Sequence, residues 1–219
     1  MGKLSFLLAE DYIKPKIYFR STTSIDSIIY SKDNKKQFHG LDYLSQMLLS
    51  STGFIVNAFQ IDYYQLLPRL IFESIDAHQI QKKLYLVGPE LSLSIIKRSF
   101  NTSYDRYFYN FQYLNIENNP DDLLNQCVDL LKEGHIVYLL PEATFHWEPS
   151  FLKENKYSTI PSCSSLLSQL ANTPVLTTTI LDESNKITIL HPDFPSKYSG
   201  SLNDCIEKQS QTIYQSLTT

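Results

Sequence analysis

Short apolar runs, each closed by a polar or Gly/Pro corner and followed by a helix-spaced segment, recur through most of this chain. That alternation restricts the folds open to it. Phe54-Ile55-Val56-Asn57-Ala58-Phe59 gives way to Gln60-Ile61-Asp62, and Lys83-Leu84-Tyr85-Leu86-Val87 to Gly88-Pro89. A third run, His135-Ile136-Val137-Tyr138-Leu139-Leu140, stops at Pro141-Glu142. Runs that are apolar almost throughout, and not only at every second residue, belong to strands covered on both faces. Between them the spacing is helical: Leu41, Leu44, Met47 and Leu48 first, then residues 63–73, 91–100 and 119–133. The alternation predicts an α/β fold with a mostly parallel central sheet flanked by helices.

Local signals place the boundaries. Asn119-Pro120-Asp121-Asp122 supplies an N-cap, a first-turn Pro and acids at the positive end of a helix, which Gly134 then ends. Ser50-Ser51-Thr52-Gly53 ends the first helix, with Gly53 read near the C′ position. Residues 113–116 read as a short strand, Ser162 caps a helix through Leu170, and 174–181 and 186–190 read as strands. The end, 202–217, reads as helical. Residues 1–36 look irregular and polar, with one candidate strand at Lys16-Ile17-Tyr18-Phe19. No linker or low-complexity run divides the 219 residues, so one domain is expected, with its core in 37–217.

Composition removes several function classes. Hydrophobic residues make up 42% and charged residues 19%, enough for a sizeable core and against global disorder. The net charge is −4, with no basic block longer than Lys35-Lys36 or Lys82-Lys83, so neither a nucleic-acid groove nor an electrostatic membrane anchor is expected. Any membrane contact would be peripheral: no stretch approaches the ~20 apolar residues of a span. Cys127, Cys163 and Cys205 lie far apart, giving neither a disulfide framework nor a zinc spacing. A reducing, cytoplasmic compartment follows as the expectation. The six glycines form no phosphate-binding loop, so no nucleotide, cofactor or metal is called for. Fifteen Tyr and twelve Phe either pack the core or wall an elongated apolar ligand.

Chemistry is best placed where strands end. In Leu139-Leu140-Pro141-Glu142-Ala143-Thr144-Phe145-His146, a Pro-Glu pair turns a buried strand into a polar corner, the position at which α/β enzymes hold functional groups. Glu142 is read either as a functional carboxylate or as a solvated turn residue. His146, four residues on, is the side chain best suited to proton transfer near neutral pH; the plain alternative is a surface His beside Trp147. Asp62 lies at the corner after the 54–59 run, as a base, an orienting acid, or an acid complementing a helix dipole. Cys163, at a helix start, is open to a dipole-lowered thiol pKa or to simple burial. His39 is placed on the far edge of the sheet and outside any site.

Four stretches together resemble the lysophospholipid acyltransferase superfamily, and most closely its late lipid A acyltransferase branch. They are Phe38-His39-Gly40-Leu41-Asp42 through Gly53-Phe54-Ile55-Val56, the Leu140-Pro141-Glu142-Ala143-Thr144-Phe145 corner, Ile160-Pro161-Ser162 through Ala171-Asn172-Thr173-Pro174-Val175, and the 202–217 helix. The corner is similar to the Phe-Pro-Glu-Gly-Thr-Arg of the phospholipid branch at Pro141, Glu142 and Thr144, with Phe145 where that branch has Arg. Recognition of a glycerol phosphate is therefore not expected. The resemblance implies an acyltransferase-like fold over 37–217 and an acyl thioester donor on acyl carrier protein or coenzyme A.

The family's catalytic block, a His separated from an acid by four residues just after the first core strand, is degenerate in this chain. The His slot falls on Phe59 and the acid slot on Tyr64; shifting by one gives Gln60 and Gln65. Phe59 cannot accept a proton, so the usual general base is missing. On the enzyme reading, Asp62, Glu142 and His146 are the rebuilt catalytic set, and Phe59, Gln60, Tyr64 and Thr144 line the substrate. A specialised biosynthetic pathway suits such an enzyme. The other reading is a non-catalytic pseudoenzyme that binds an acyl chain, a carrier protein or a partner subunit.

Overall fold

The computed structural model describes residues 38–58, 66–77, 79–101, 112–140, 143, 162–180, 187–201, 204–208 and 211. The candidate strand at 16–19 and the whole of 1–36 lie outside them. In chain order the elements are β1 (Phe38–His39), α1 (Leu41–Leu49), β2 (Phe54–Ala58), α2 (Leu66–Ala77), β3 (Leu84–Gly88), α3 (Glu90–Asn101) and β4 (Gln112–Asn115). Then come α4 (Pro120–Lys132), β5 (Ile136–Leu139), α5 (Ser162–Ala171), β6 (Val175–Ile180), β7 (Ile187–Ile189) and a 3-10 turn at Pro195–Lys197. Of the predicted 202–217 helix, residues 204–208 and 211 are helical. No helix of the described residues is long and apolar enough to cross a membrane.

The strands form one seven-stranded sheet in the order β1-β7-β6-β2-β5-β3-β4. Every neighbouring pair is parallel except β6 with β7. The expected α/β class, a mostly parallel sheet between helices, is what the chain adopts. The three apolar runs are its centre: every residue of β2, β3 and β5 is buried. Alternate residues of each strand feed two separate cores. Val56, Ala58, Leu86, Tyr138 and Leu140 pack under α1, α2 and α3; Ile55, Val87, Val137 and Leu139 pack under α4 and α5. Burying side chains of this kind contributes about 1.5–3 kcal/mol each, which is why both faces of these strands must be apolar.

Around α4 the local sequence signals hold. Asn119 caps α4 by accepting the Asp121 N–H, with Pro at the first turn. Gly134, at φ +89°, closes the helix: the Gly134 N–H reaches Leu131 O and the His135 N–H reaches Leu130 O, a Schellman arrangement. Three details differ from expectation. Gly53 is not a helix cap; α1 ends at Ser50 in extended backbone, and Gly53 instead lets β2 enter against Leu131 O and His135 O. Ser162 is the first residue of α5 and not its cap. Phe38–His39, expected only as a lead-in to α1, is an edge strand parallel to β7, which leaves His39 three places from β2.

The amino edge of the sheet is tied by one buried lysine. Lys82 Nζ donates to Thr52 O, before β2, and to Gly134 O at 3.0 Å, before β5. Beside it, His135 Nδ1 accepts the Lys83 N–H at 3.3 Å while Nε2 lies 3.6 Å from Glu133 Oε2. Burial lowers the His135 pKa; Glu133 opposes this, and Lys83 and Lys82 reinforce it. The accepting Nδ1 is therefore unprotonated in the fold. As pH falls, the unfolded chain takes up this proton first, near the ordinary His value of about 6.5. The stability His135 contributes is held above that value and lost as pH falls through the lower folded value. The stability read from urea unfolding should fall as pH drops below about 6.5, by less than ~1 kcal/mol, the worth of one net hydrogen bond. His135→Gln should flatten that slope; an unchanged slope in the variant would exclude the mechanism.

Candidate functional site

β2 and β5 lie side by side and in parallel, with Phe54 opposite Ile136 and Asn57 opposite Leu139. The chain therefore leaves Ala58 and Leu140 at neighbouring points of the same edge. The two exits then part. After β2 the chain reaches α2, on the face that carries Leu67, Leu70 and Ile71; after β5 it reaches α5, on the face that carries Cys163, Leu166 and Leu167. Adjacent parallel strands whose connections diverge to opposite faces open a crevice at their carboxyl ends, the switch point at which open α/β sheets bind ligands. β3, on the other side of β5, likewise exits to α3 on the α2 face, so the crevice runs along the ends of β2, β5 and β3. The two corners marked in the sequence leave from β2 and β5, and that part is the candidate site.

The floor of the crevice is polar on both faces of β2. On the α2 face, the Tyr138 phenol shares a side-chain hydrogen bond with Thr178. Tyr138 pairs with Val56 and Thr178 with Ala58, so the ring crosses β2 at its smallest side chain. Full burial raises the Tyr138 pKa, and the Thr178 bond only partly offsets it; the phenol stays protonated. On the α5 face, Asn57 is completely buried and its Nδ2 donates to Ser164 Oγ at 3.0 Å. Thr177, in register with Asn57 on β6, is buried beside it.

Cys163 adjoins Ser164 in the first turn of α5. Burial, with Cys127 adding to it, holds its thiol well above the usual range. Whatever a helix dipole offers, desolvation outweighs it, and Cys163 is a packed core residue with 0% exposure. Cys127 is likewise pushed up to about 12 by burial. Neither thiol suits nucleophilic chemistry.

The residues singled out from the sequence, namely Phe59, Gln60, Asp62, Tyr64, Glu142, Thr144 and His146, all lie outside the described residues. What the structure brings together is the two strand ends from which their corners depart. Ala143 alone of the 141–146 corner is described; it is fully buried in the α5-side core with Leu139 and Cys163. Asn57, Ser164, Thr177, Tyr138 and Thr178 were not read as site residues. One signal was available: Asn57 is the single polar residue in the apolar run of β2.

A cavity of about 360 Å³ lies at the opposite, amino edge, lined by Phe72, Ile75, Asp76, Gln79, Lys82 and Lys83 among others. It sits where strands begin, away from the divergent exits, and no paired connections converge on it. The topology favours the carboxyl edge. No group of three or more His, Cys, Asp or Glu among the described residues has the arrangement of a metal site. No protein-family model matches this sequence, and no curated protein matches it significantly.

Proposed function

We propose that this chain handles an acyl thioester, delivered on acyl carrier protein or coenzyme A, at the crevice between β2 and β5. One observation supports the reading most: the corner that carries the acyltransferase resemblance, after β5, and the corner that occupies the slot of the family's catalytic block, after β2, depart from adjacent parallel strands at a switch point of the sheet. In the reaction, the oxygen of an acceptor hydroxyl, or the nitrogen of an amine, attacks the thioester carbonyl. Its proton passes to a base, the C–S bond breaks, and the departing thiolate is protonated. With Phe59 in the slot of the usual His, Asp62 and His146 are the candidates for the base, and Glu142 the candidate for positioning the acceptor or donor. A cytoplasmic setting, supported by three cysteines that are free and buried, and a specialised biosynthetic role belong to the same proposal.

A second reading has its own support. The absence of a His from both registers of the catalytic block favours a non-catalytic protein that binds an acyl chain, a carrier protein or a partner subunit. Purified protein incubated with a panel of acyl-carrier-protein and acyl-coenzyme A donors, with and without hydroxyl and amine acceptors, separates the two. Acceptor-dependent release of free thiol is the expected result. Saturable donor binding without thiol release would favour the non-catalytic reading, and neither binding nor release would overturn both.

A further inference from the structure

We infer that Asn57 and Ser164 form a positioning pair for the β2–β5 crevice, an inference that rests on the acyl-thioester reading of that site. Asn57 is the penultimate residue of the central strand, 0% exposed, and its amide donates across 107 residues of sequence to Ser164, also 0% exposed. A buried amide is costly unless it is hydrogen-bonded. Packing alone does not call for one here. Ile55, two residues earlier on the same face of β2, fills the same layer against α5 with a hydrocarbon side chain. The amide stands where the strand reaches the crevice and not deeper in the sheet.

What the pair supplies is direction. α5 starts on the carboxyl side of the sheet and runs back toward its amino edge, where the Ser168 hydroxyl bonds Thr173 O and β6 begins at Val175. Its first turn is therefore a wall of the crevice, on the face to which the β5 exit leads. Apolar contacts from Leu166 and Leu167 hold the helix down but are non-directional. The 3.0 Å bond from Asn57 fixes rotation and axial position of that first turn against the strand end. Thr177, buried and in register with Asn57, keeps the same spot polar from the β6 side. Groups that must meet a reacting carbonyl tolerate little displacement, since about 1 Å of misplacement costs roughly 10²-fold in rate.

The test is a double-mutant cycle of Asn57→Leu, Ser164→Ala and the double variant, read for kcat, for KM toward the donor and for the urea midpoint. Each single variant should lower kcat about 10-fold or more with donor KM little changed. The double variant should be no worse than the poorer single one, because the two residues act as one unit. If wild type binds donor without turnover, the same pattern is expected in donor affinity. Single variants that keep wild-type kcat or affinity, or losses that follow the urea midpoint and add in the double variant, overturn the positioning pair while leaving the acyl-thioester reading intact. Wild type that neither turns over nor binds any donor overturns that reading, and the pair falls with it.

Discussion

Gly53→Ala is expected to destabilise the protein by about 3 kcal/mol, the upper end of what overpacking costs. A Cβ at this position would lie 2.3 Å from Leu131 O and 2.7 Å from His135 O, both backbone atoms. Neither oxygen can move freely. Leu131 O accepts the Gly134 N–H in the cap of α4, and His135 O accepts the Phe54 N–H at 3.2 Å. The Lys82 ammonium clamps the two segments together through Thr52 O and Gly134 O. Relief of the clash requires separating β2 from the α4–β5 turn and loosening that clamp. Against a typical total stability of about 5–15 kcal/mol, such a loss is a large fraction. It would be read as a lower urea midpoint at unchanged slope. A midpoint within about 0.5 kcal/mol of wild type, the range of ordinary surface substitutions, would mean that the turn yields easily.

That same glycine marks how far local sequence signals reach. Gly53 follows a helix, and a glycine after a helix reads as a cap; its close contacts come from Leu131 and His135, far along the chain. The central strands were legible because burial on both faces writes itself as continuous hydrophobicity in 54–58, 84–88 and 136–139. The α4 boundaries were legible because Asn119, Pro120 and Gly134 act within one turn. The strand order was not. β5 inserts between β2 and β3, and β6 crosses to the other side of β2, through pairings that no short window contains. The two-residue β1 and the antiparallel β7 exist through such pairing as well.

For the site, the sequence marked two corners and left their relation open. Only the register of β2 with β5 makes them neighbours, and only the division of helices between the two cores makes their junction a crevice. The polar floor was hidden for a different reason. Tyr138 and Thr178 read as ordinary strand residues, and Ser164 as one of several small residues in a helix; each gains meaning from a partner on another element. For Cys163 the sequence offered both a dipole-lowered thiol and simple burial, and burial is what the fold imposes, driving the pKa upward.

Turnover, where it is found, should collapse in one of three variants, and the identity of that variant names a residue of the rebuilt site. Glu142→Ala is expected to have the largest effect, because Glu142 combines the resemblance to the acyltransferase corner with a departure point beside β2. Removing a positioned acid or base costs about 10²–10⁴-fold in rate. A base is distinguished from a positioning carboxylate by the pH profile. Loss of the base abolishes the ascending limb of kcat/KM, whereas loss of a positioning group lowers the plateau and leaves the limb in place. His146→Ala removing a limb near neutral pH would assign proton transfer to the imidazole and leave Glu142 to orient acceptor or donor. Asp62→Asn retaining activity would make Asp62 a partner of the helix dipole and nothing more. If turnover survives all three substitutions within a few-fold, the base is elsewhere, and the rebuilt site assigned to these two corners is wrong even though the crevice between them remains.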